Sequence, residues 1–271
     1  MTQGIKYIFV MNIDMVQLPE MERWYIRNHA PEAIYQLGAW FTKYQSYRAV
    51  PPMYGAEEYG YYNYRVSELW FRSVNDLPRC ILTPGRRAIL SLSWPKSFGK
   101  QQAGTEEVYD NGWPGRPEGP HPFALQCFIP VEPTEDFMGE ELTADDKTIL
   151  RWLMAFKYPD GVPVQEGEDW YLNIHAKEVM KQPGLTRYFS HRTVDIPGLV
   201  SPYPWHRVTE MWYENFDDWR TSIVGSPPAY TKPPWASYSK YPFLEPYSDF
   251  ISTFLLERPT DDFLRDLRSY P

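Results

Sequence analysis

Three short stretches of this chain return in the same order about half a chain length later, so any fold that suits one copy has to suit the other. Trp24-Tyr25-Ile26-Arg27-Asn28-His29-Ala30 reappears as Trp170-Tyr171-Leu172-Asn173-Ile174-His175-Ala176, and Arg65-Val66-Ser67-Glu68-Leu69-Trp70-Phe71 as Arg207-Val208-Thr209-Glu210-Met211-Trp212-Tyr213. A third echo sets Glu132-Pro133-Thr134-Glu135-Asp136-Phe137 against Arg258-Pro259-Thr260-Asp261-Asp262-Phe263. The spacing between copies shortens from the second echo to the third, so the first copy carries extra residues there. Two domains of one design are expected in tandem, over residues 1–140 and 148–271, each of about 135 residues and large enough to bury a core.

Within each half the apolar pattern reads strand, helix, strand, strand, helix, strand. Strands are expected at Ile5–Ile13, Phe41–Val50, Asn63–Arg72 and Phe123–Val131, and again at Leu150–Lys157, Leu185–Val194, His206–Glu214 and Asp249–Leu256. Helices are expected at Leu18–Leu37 and Val164–Lys181. Pro31 lacks an N–H and would kink the first helix, but Lys177 stands at its place in the second copy, so a kink is not part of the shared design. Ser73 with Asp76, and Asn215 with Asp218, have the spacing of a helix cap. Residues 94–122 form a Pro- and Gly-rich insertion, matched by a shorter Pro- and Tyr-rich stretch at Gly225–Pro246; loops of this length act as lids or arms.

A net charge of −8 repels phosphate, and no basic run offsets it, so nucleic-acid binding is not expected. No stretch approaches 18 apolar residues and no signal-like N-terminus is present, which argues against a membrane partner and for a cytoplasmic protein. Cys80 and Cys127 have no metal or redox spacing, which fits a reducing compartment. Walker, Rossmann and Gly-x-Ser-x-Gly patterns are absent, and no cofactor is expected. Aromatic residues reach 17% of the chain, with 11 Trp and 21 Tyr, enough to line a ligand cavity or an interface as well as two cores.

The element order is that of a ferredoxin-like βαββαβ sandwich, in which helices cover one face of the sheet and leave the other bare. The expected fold class is α+β: two such repeats closing their bare faces into an intramolecular dimeric α/β barrel. The stretches Trp24-Tyr25, His29-Ala30-Pro31-Glu32 and Glu68-Leu69-Trp70-Phe71, with Trp170-Tyr171, His175-Ala176, Pro183-Gly184-Leu185-Thr186-Arg187-Tyr188 and Glu210-Met211-Trp212-Tyr213, resemble the EthD-like family of dimeric α/β-barrel proteins. The resemblance covers most of both halves, leaving out the two long loops. It implies cofactor-independent lyase or isomerase chemistry, of dehydratase, decarboxylase or lactone-isomerase type, on a hydrophobic aromatic or lactone-like molecule. It equally allows a non-catalytic binding or accessory protein. This chain departs from the family pattern by fusing the two protomers, and a homodimer of the fused barrel is left open.

Only five His are present. His29 and His175 hold equivalent helix positions, and histidine is the default proton-transfer group near neutral pH. On the strands, His191 and His206 of the second copy stand where the first has Tyr47 and Tyr64. The catalytic candidates are therefore His175, His191, His206, Glu210 and His29, with the C-terminal half favoured as the working one. Substrate contacts are expected from Tyr171, Tyr188, Trp212, Tyr47, Tyr64 and Trp70. Glu210, set among rings, is expected to have a carboxyl pKa raised by desolvation, unless it pairs with Arg48, Arg192, Arg65 or Arg207. A metal site from His175, His191, His206 and Glu210 is chemically conceivable, but no HxxxH or HExxH spacing supports it, and none is expected.

Overall fold

The computed structural model describes residues 4–13, 15–51, 55–76, 123–139, 149–196, 205–225 and 228–268. The insertion at 94–122, Cys80, most of the first copy's second helix and the junction between the expected domains lie outside them. Strands β1 (Ile5–Met11), β2 (Phe41–Arg48), β3 (Arg65–Phe71) and β4 (Phe123–Pro130) form one antiparallel sheet, ordered β2-β3-β1-β4. After a short β5 (Glu135–Asp136), strands β6 (Leu150–Phe156), β7 (Leu185–Arg192), β8 (Arg207–Tyr213) and β9 (Phe250–Leu256) repeat it as β7-β8-β6-β9. Register repeats as well: Tyr47 lies opposite Val66, and His191 opposite Val208.

The third sequence echo turns out to be an exchange. β5, the tail of the first half, pairs with β7 through Glu135 and Ser190, while β10 (Asp261–Asp262), the tail of the second half, pairs with β2 through Asp261 and Ser46. Each half thus supplies an edge strand to the other's sheet. The seams close through Val50 N–H to Phe254 C=O and Val194 N–H to Phe128 C=O, both 2.8 Å. Gly60 lies in this seam at φ +59, where a Cβ would come within 2.5 Å of the Phe250 carbonyl oxygen; only glycine combines that angle with that approach.

Side-chain alternation along the strands produces three cores. Ile8, Val10, Val66, Leu153, Ala155 and Val208 fill the space between the sheets. Tyr44, Leu69 and Phe71 face the helices of the first half, and Tyr188, Met211 and Tyr213 those of the second. The long helices, α1 with α2 (Leu18–Trp24, Ala30–Leu37) and α3 with α4 (Val164–Trp170, Ala176–Val179), are each interrupted by a π-helical turn, at Tyr25–His29 and at Tyr171–His175. In it the Ala176 N–H reaches back five residues to the Tyr171 carbonyl, as the Ala30 N–H does to Tyr25. Because both copies have the turn and only the first has a proline, Pro31 is not its cause. Helix α5 (Phe216–Arg220) begins as expected, with the Asn215 side chain accepting the Asp218 N–H at 3.0 Å. Ser73 instead accepts from Asn75 N–H. Helix α6 (Phe263–Arg268) follows β10.

A fully buried arginine locks each exchange. Arg207 bonds Glu168 of α3 at 2.7 and 2.6 Å, Ser190 of β7 at 3.1 Å and Glu135 of the exchanged β5. Arg65 does the same with Glu22 at 2.8 Å, Ser46 at 2.9 Å and Asp261 at 2.6 Å. Arg207→Leu, which leaves Glu168 and Glu135 only the half-exposed Arg192 as a cation, is expected to cost about 3 kcal/mol, the low end for breaking a buried pair, read from urea unfolding at pH 7. Burial raises the Glu22 and Glu168 carboxyls, but their arginines outweigh it and hold both below 4.5. A depressed folded pKa contributes stability above the unfolded value and loses it as pH falls through the folded one, so the clamps weaken below about pH 4.5. That acid sensitivity should be reduced in Arg207→Leu, and equal stability of variant and wild type at pH 7 would show that the clamp holds nothing.

Candidate functional site

The π-helical turn of the second half carries two ring systems onto the outer face of the second sheet. Tyr171 and His175 stack at 5.6 Å, one turn apart, with Trp170 tilted against His175 at 4.7 Å. Under them lie Met154, Phe156, Tyr188, Thr209, Met211 and Phe250 from four strands; over them lie Tyr241, Pro242 and Leu244 from the Pro- and Tyr-rich loop. Together these residues enclose a cavity whose envelope, counting its mouth, is about 340 Å³, although as the side chains stand it holds roughly one water. No lining side chain is a carboxylate, lysine or arginine.

The loop is tied down. Thr231 donates its N–H to Glu178 at 2.8 Å, its carbonyl accepts the Trp170 indole N–H at 3.2 Å, and Tyr230 accepts from Gln182 at 2.6 Å. Tyr241 then lies parallel to the His175 imidazole at 5.5 Å and against Tyr230 at 4.3 Å. Phe137, which follows the exchanged β5, stacks on Tyr188 at 4.5 Å. The first half therefore backs a ring that lines the second half's cavity.

His175 is only 6% exposed, and its Nδ1 is buried without a hydrogen-bond partner. Burial pushes its pKa down to about 3, and that of its counterpart His29 to about 4. Both are neutral imidazoles near pH 7. Tyr188 donates to Tyr171 at 3.0 Å, and Tyr171 meets Thr209 at 3.2 Å, so the polar atoms of the cavity form one hydroxyl cluster beside one neutral histidine.

The other sequence candidates are not brought to this cavity. Residues 188 and 191 differ by an odd number, so His191 points to the opposite face of its strand, between the sheets. There it is 2% exposed, with a pKa near 4, set by burial and then by Lys6 against the opposing pull of Glu210. Glu210, Trp212, Trp70 and Tyr47 share that interior. Glu210 accepts two bonds from Arg151 at 3.0 Å and one from the Trp212 indole at 3.0 Å; Arg151 also lies 3.6 Å from Glu68, which pairs with Lys6 at 3.5 Å.

This corrects the expectation for Glu210. Burial raises its carboxyl, but Arg151 and Lys6 outweigh it, and the pKa is lowered. None of Arg48, Arg192, Arg65 and Arg207 is the partner; they belong to the clamps. Tyr47 sits beneath Arg151 at 4.7 Å, its phenol pushed up to about 12 by burial and by Glu68.

His206 precedes β8 rather than lying on it. Its Nδ1 accepts the Tyr158 N–H at 2.9 Å and its ring stacks on Tyr158 at 5.1 Å, a structural tie. Tyr64, like Tyr44, belongs to the first half's helix-side core, beside Arg65. His29 lies tilted against Trp24 at 4.6 Å in that half. Among the described residues no three His, Cys, Asp or Glu side chains converge as metal ligands, and no helix is long and apolar enough to cross a membrane.

Residues 4–100, roughly a third of the chain and including His29, match the chalcone isomerase N-terminal domain. No curated protein matches the chain. Solved structures similar to it include an anthrone oxidase-like protein at 10% identity, covering 97% of this chain and 93% of that one with a TM-score of 0.48. An ethyl tert-butyl ether D (EthD) family protein from Bacillus halodurans C-125 is 22% identical over 29% of this chain and 74% of that one, at a TM-score of 0.25. A chlorite dismutase from Candidatus Nitrospira defluvii is 10% identical over 95% and 90%, at 0.40.

The geometry makes an ionisation forecast. In long-range ¹H–¹⁵N spectra, His175, His29 and His191 should stay neutral from pH 8 to pH 5. A His175 transition near 6.5 would mean that water reaches the cavity freely.

Proposed function

We propose that the chain is a cofactor-independent isomerase or lyase whose neutral, largely aromatic substrate binds in the helix-side cavity of the C-terminal half. One observation carries this reading: a neutral histidine and a phenolic pair converge in an aromatic enclosure that has no charged wall. Such a pocket favours a flat uncharged molecule with a carbonyl or hydroxyl to orient. The family match adds support, since a chalcone is an aromatic enone and its isomerisation requires a proton moved without an external redox partner.

In the proposed step a nitrogen of His175 takes a proton from carbon next to the carbonyl. The C–H electron pair forms the carbon–carbon double bond, and the carbonyl π pair moves to oxygen, where a cavity phenol hydrogen-bonds it. His175 then returns the proton to a different carbon, or to a leaving oxygen in a lyase. Burial holds the imidazole at about 3; negative charge developing on the substrate beside it would raise that value as the proton arrives.

The test is turnover of a panel of aromatic ketones that carry an α C–H, flavanone included, and of lactones, followed by absorbance with no cofactor added. His175→Ala is expected to lower kcat by roughly 10²–10⁴. His191→Tyr and His206→Tyr, both away from the cavity, should keep nearly full turnover. Saturable binding without turnover would favour a binding or accessory protein, and wild-type rates in His175→Ala would remove the histidine from the mechanism. A second reading puts the working site around His29, because the family match falls on that half. His29→Ala, and not His175→Ala, would then abolish activity.

A further inference from the structure

We infer that residues 232–243 form a strap that lifts from the cavity to admit a ligand, and that Tyr241 holds the place on His175 that the ligand's ring takes. The inference rests on the reading of the cavity given above and adds to it a way in and a ring subsite.

The cavity poses a problem of room. Its envelope of about 340 Å³ is of ligand size, yet as the side chains stand it holds roughly one water, so part of the lining has to leave before an aromatic molecule enters. The floor stands on β6, β7, β8 and β9, which are bonded to one another along their length. The helical wall is docked on Arg207 through Glu168 at 2.7 Å. The roof of Tyr241, Pro242 and Leu244 belongs to no strand or helix.

The bonds that hold the loop fall at its two ends. Tyr230 and Thr231 are tied to Gln182 and Glu178, and Tyr247 gives its N–H to the Phe250 carbonyl at 2.7 Å. Between them the backbone bonds are turns inside the strap, from Ala236 N–H to Pro233 C=O and from Phe243 N–H to Lys240 C=O. Among the described residues, the strap's one polar tie to the rest of the protein is Lys240 with Glu58 at 2.6 Å, an ion pair whose side chains are 62% and 61% exposed. Glu58 lies in the 3₁₀ turn Ala56–Tyr59, so the first half holds the latch. A pair so exposed contributes little and is screened by salt.

The hinge is marked in the backbone. Phe243 has φ +68, left-handed for a bulky residue, while its side chain and that of Leu244 are buried. A strap that turns about Phe243 releases that local strain.

Lifting the strap uncovers a place shaped for a ring. Tyr241 lies within 12° of parallel to the His175 imidazole at 5.5 Å, and 4.3 Å from Tyr230. Tyr230 is outside the strap and is kept by Gln182. A flat uncharged ring that enters as Tyr241 leaves meets the same two partners, so the stacking that is lost is remade with the ligand.

The test needs no turnover. Met154, on the cavity floor and 4% exposed, is replaced by Cys, and its reaction with a soluble disulfide reagent is followed above the background of the unsubstituted protein. Labelling should depend little on urea below the unfolding transition. Glu58→Gln should speed it by roughly two- to fivefold, the weight of an exposed ion pair. Labelling that tracks global unfolding, or that Glu58→Gln leaves unchanged, would overturn the inference; acceleration by Glu168→Gln alone would do so by showing that the helix lifts instead. For the subsite the probe is coumarin, a flat neutral lactone, titrated by calorimetry and by NMR. It should shift the His175 ring resonances of the wild type, and Tyr241→Ala should bind it about tenfold more tightly because no ring has first to be displaced. No shift, or equal or weaker binding in Tyr241→Ala, would make Tyr241 a fixed wall and not a stand-in. A strap that passes both tests on a chain that turns over none of the ketones and lactones would leave this inference standing and refute the functional reading alone.

Discussion

The two buried arginines are the constraint on which the rest of the structure depends. A guanidinium taken out of water has to be met by acids and by acceptors for its remaining N–H groups, or it destabilises the fold by several kcal/mol. Arg207 finds one acid on its own half's helix and the other on a strand that the opposite half must deliver. Arg65 imposes the same demand in reverse. Neither half can satisfy its own arginine, so the sheets are held face to face and the helices are fixed over their outer faces. The π-helical turn sits on the same scaffold: Tyr171 lies over the arginine that Glu168, one turn earlier, is holding.

Strand periodicity then divides the chemistry. Every strand offers one set of side chains to the barrel interior and the alternate set to the helices, and a step of one residue changes the compartment. Between the sheets this places Lys6, Glu68, Arg151 and Glu210, a nearly solvent-free set of two cations and two anions that pair with each other. On the helix side it places tyrosines, methionines and a threonine without charge. A carboxylate with two arginine bonds is a poor base, because its lone pairs are occupied and its proton affinity is lowered. A neutral histidine with an unpartnered ring nitrogen is freer to act.

Much of this was legible in the residues. The ordered echoes carried the fold class, since strands and helices repeated in one order imply two sheets with bare faces to cover. Strand boundaries read from the sequence agree with the structure to within two residues. The third echo was visible but its meaning was not: a two-residue strand has no period to detect, and the only hint was acid placed after Pro-Thr in both copies. The site was half legible. His175, Tyr171 and Tyr188 do meet, because helix spacing survives folding and Tyr188 in mid-β7 faces the helices. His191 and Glu210 were grouped with them on residue type, whereas the sheet itself stands between the groups. Tyr241 and Tyr230 went unchosen because a loop has no periodicity to say which of its rings turns inward.

The π-helical turn of the second half is covered by the Pro- and Tyr-rich loop. In the second half, Glu178 holds the loop through Thr231, and the loop lays Tyr241 parallel to His175. Glu32 stands at the matching place in the first half, and its buried Oε2 has no hydrogen-bond partner, whereas Nδ1 of His29 and Nδ1 of His175 are alike in lacking one. A buried acceptor left unpaired costs about 1–3 kcal/mol, a cost that Glu178 avoids by holding Thr231. The Pro- and Tyr-rich loop, outwardly the least regular part of the repeat, is therefore the part that roofs the cavity of the second half.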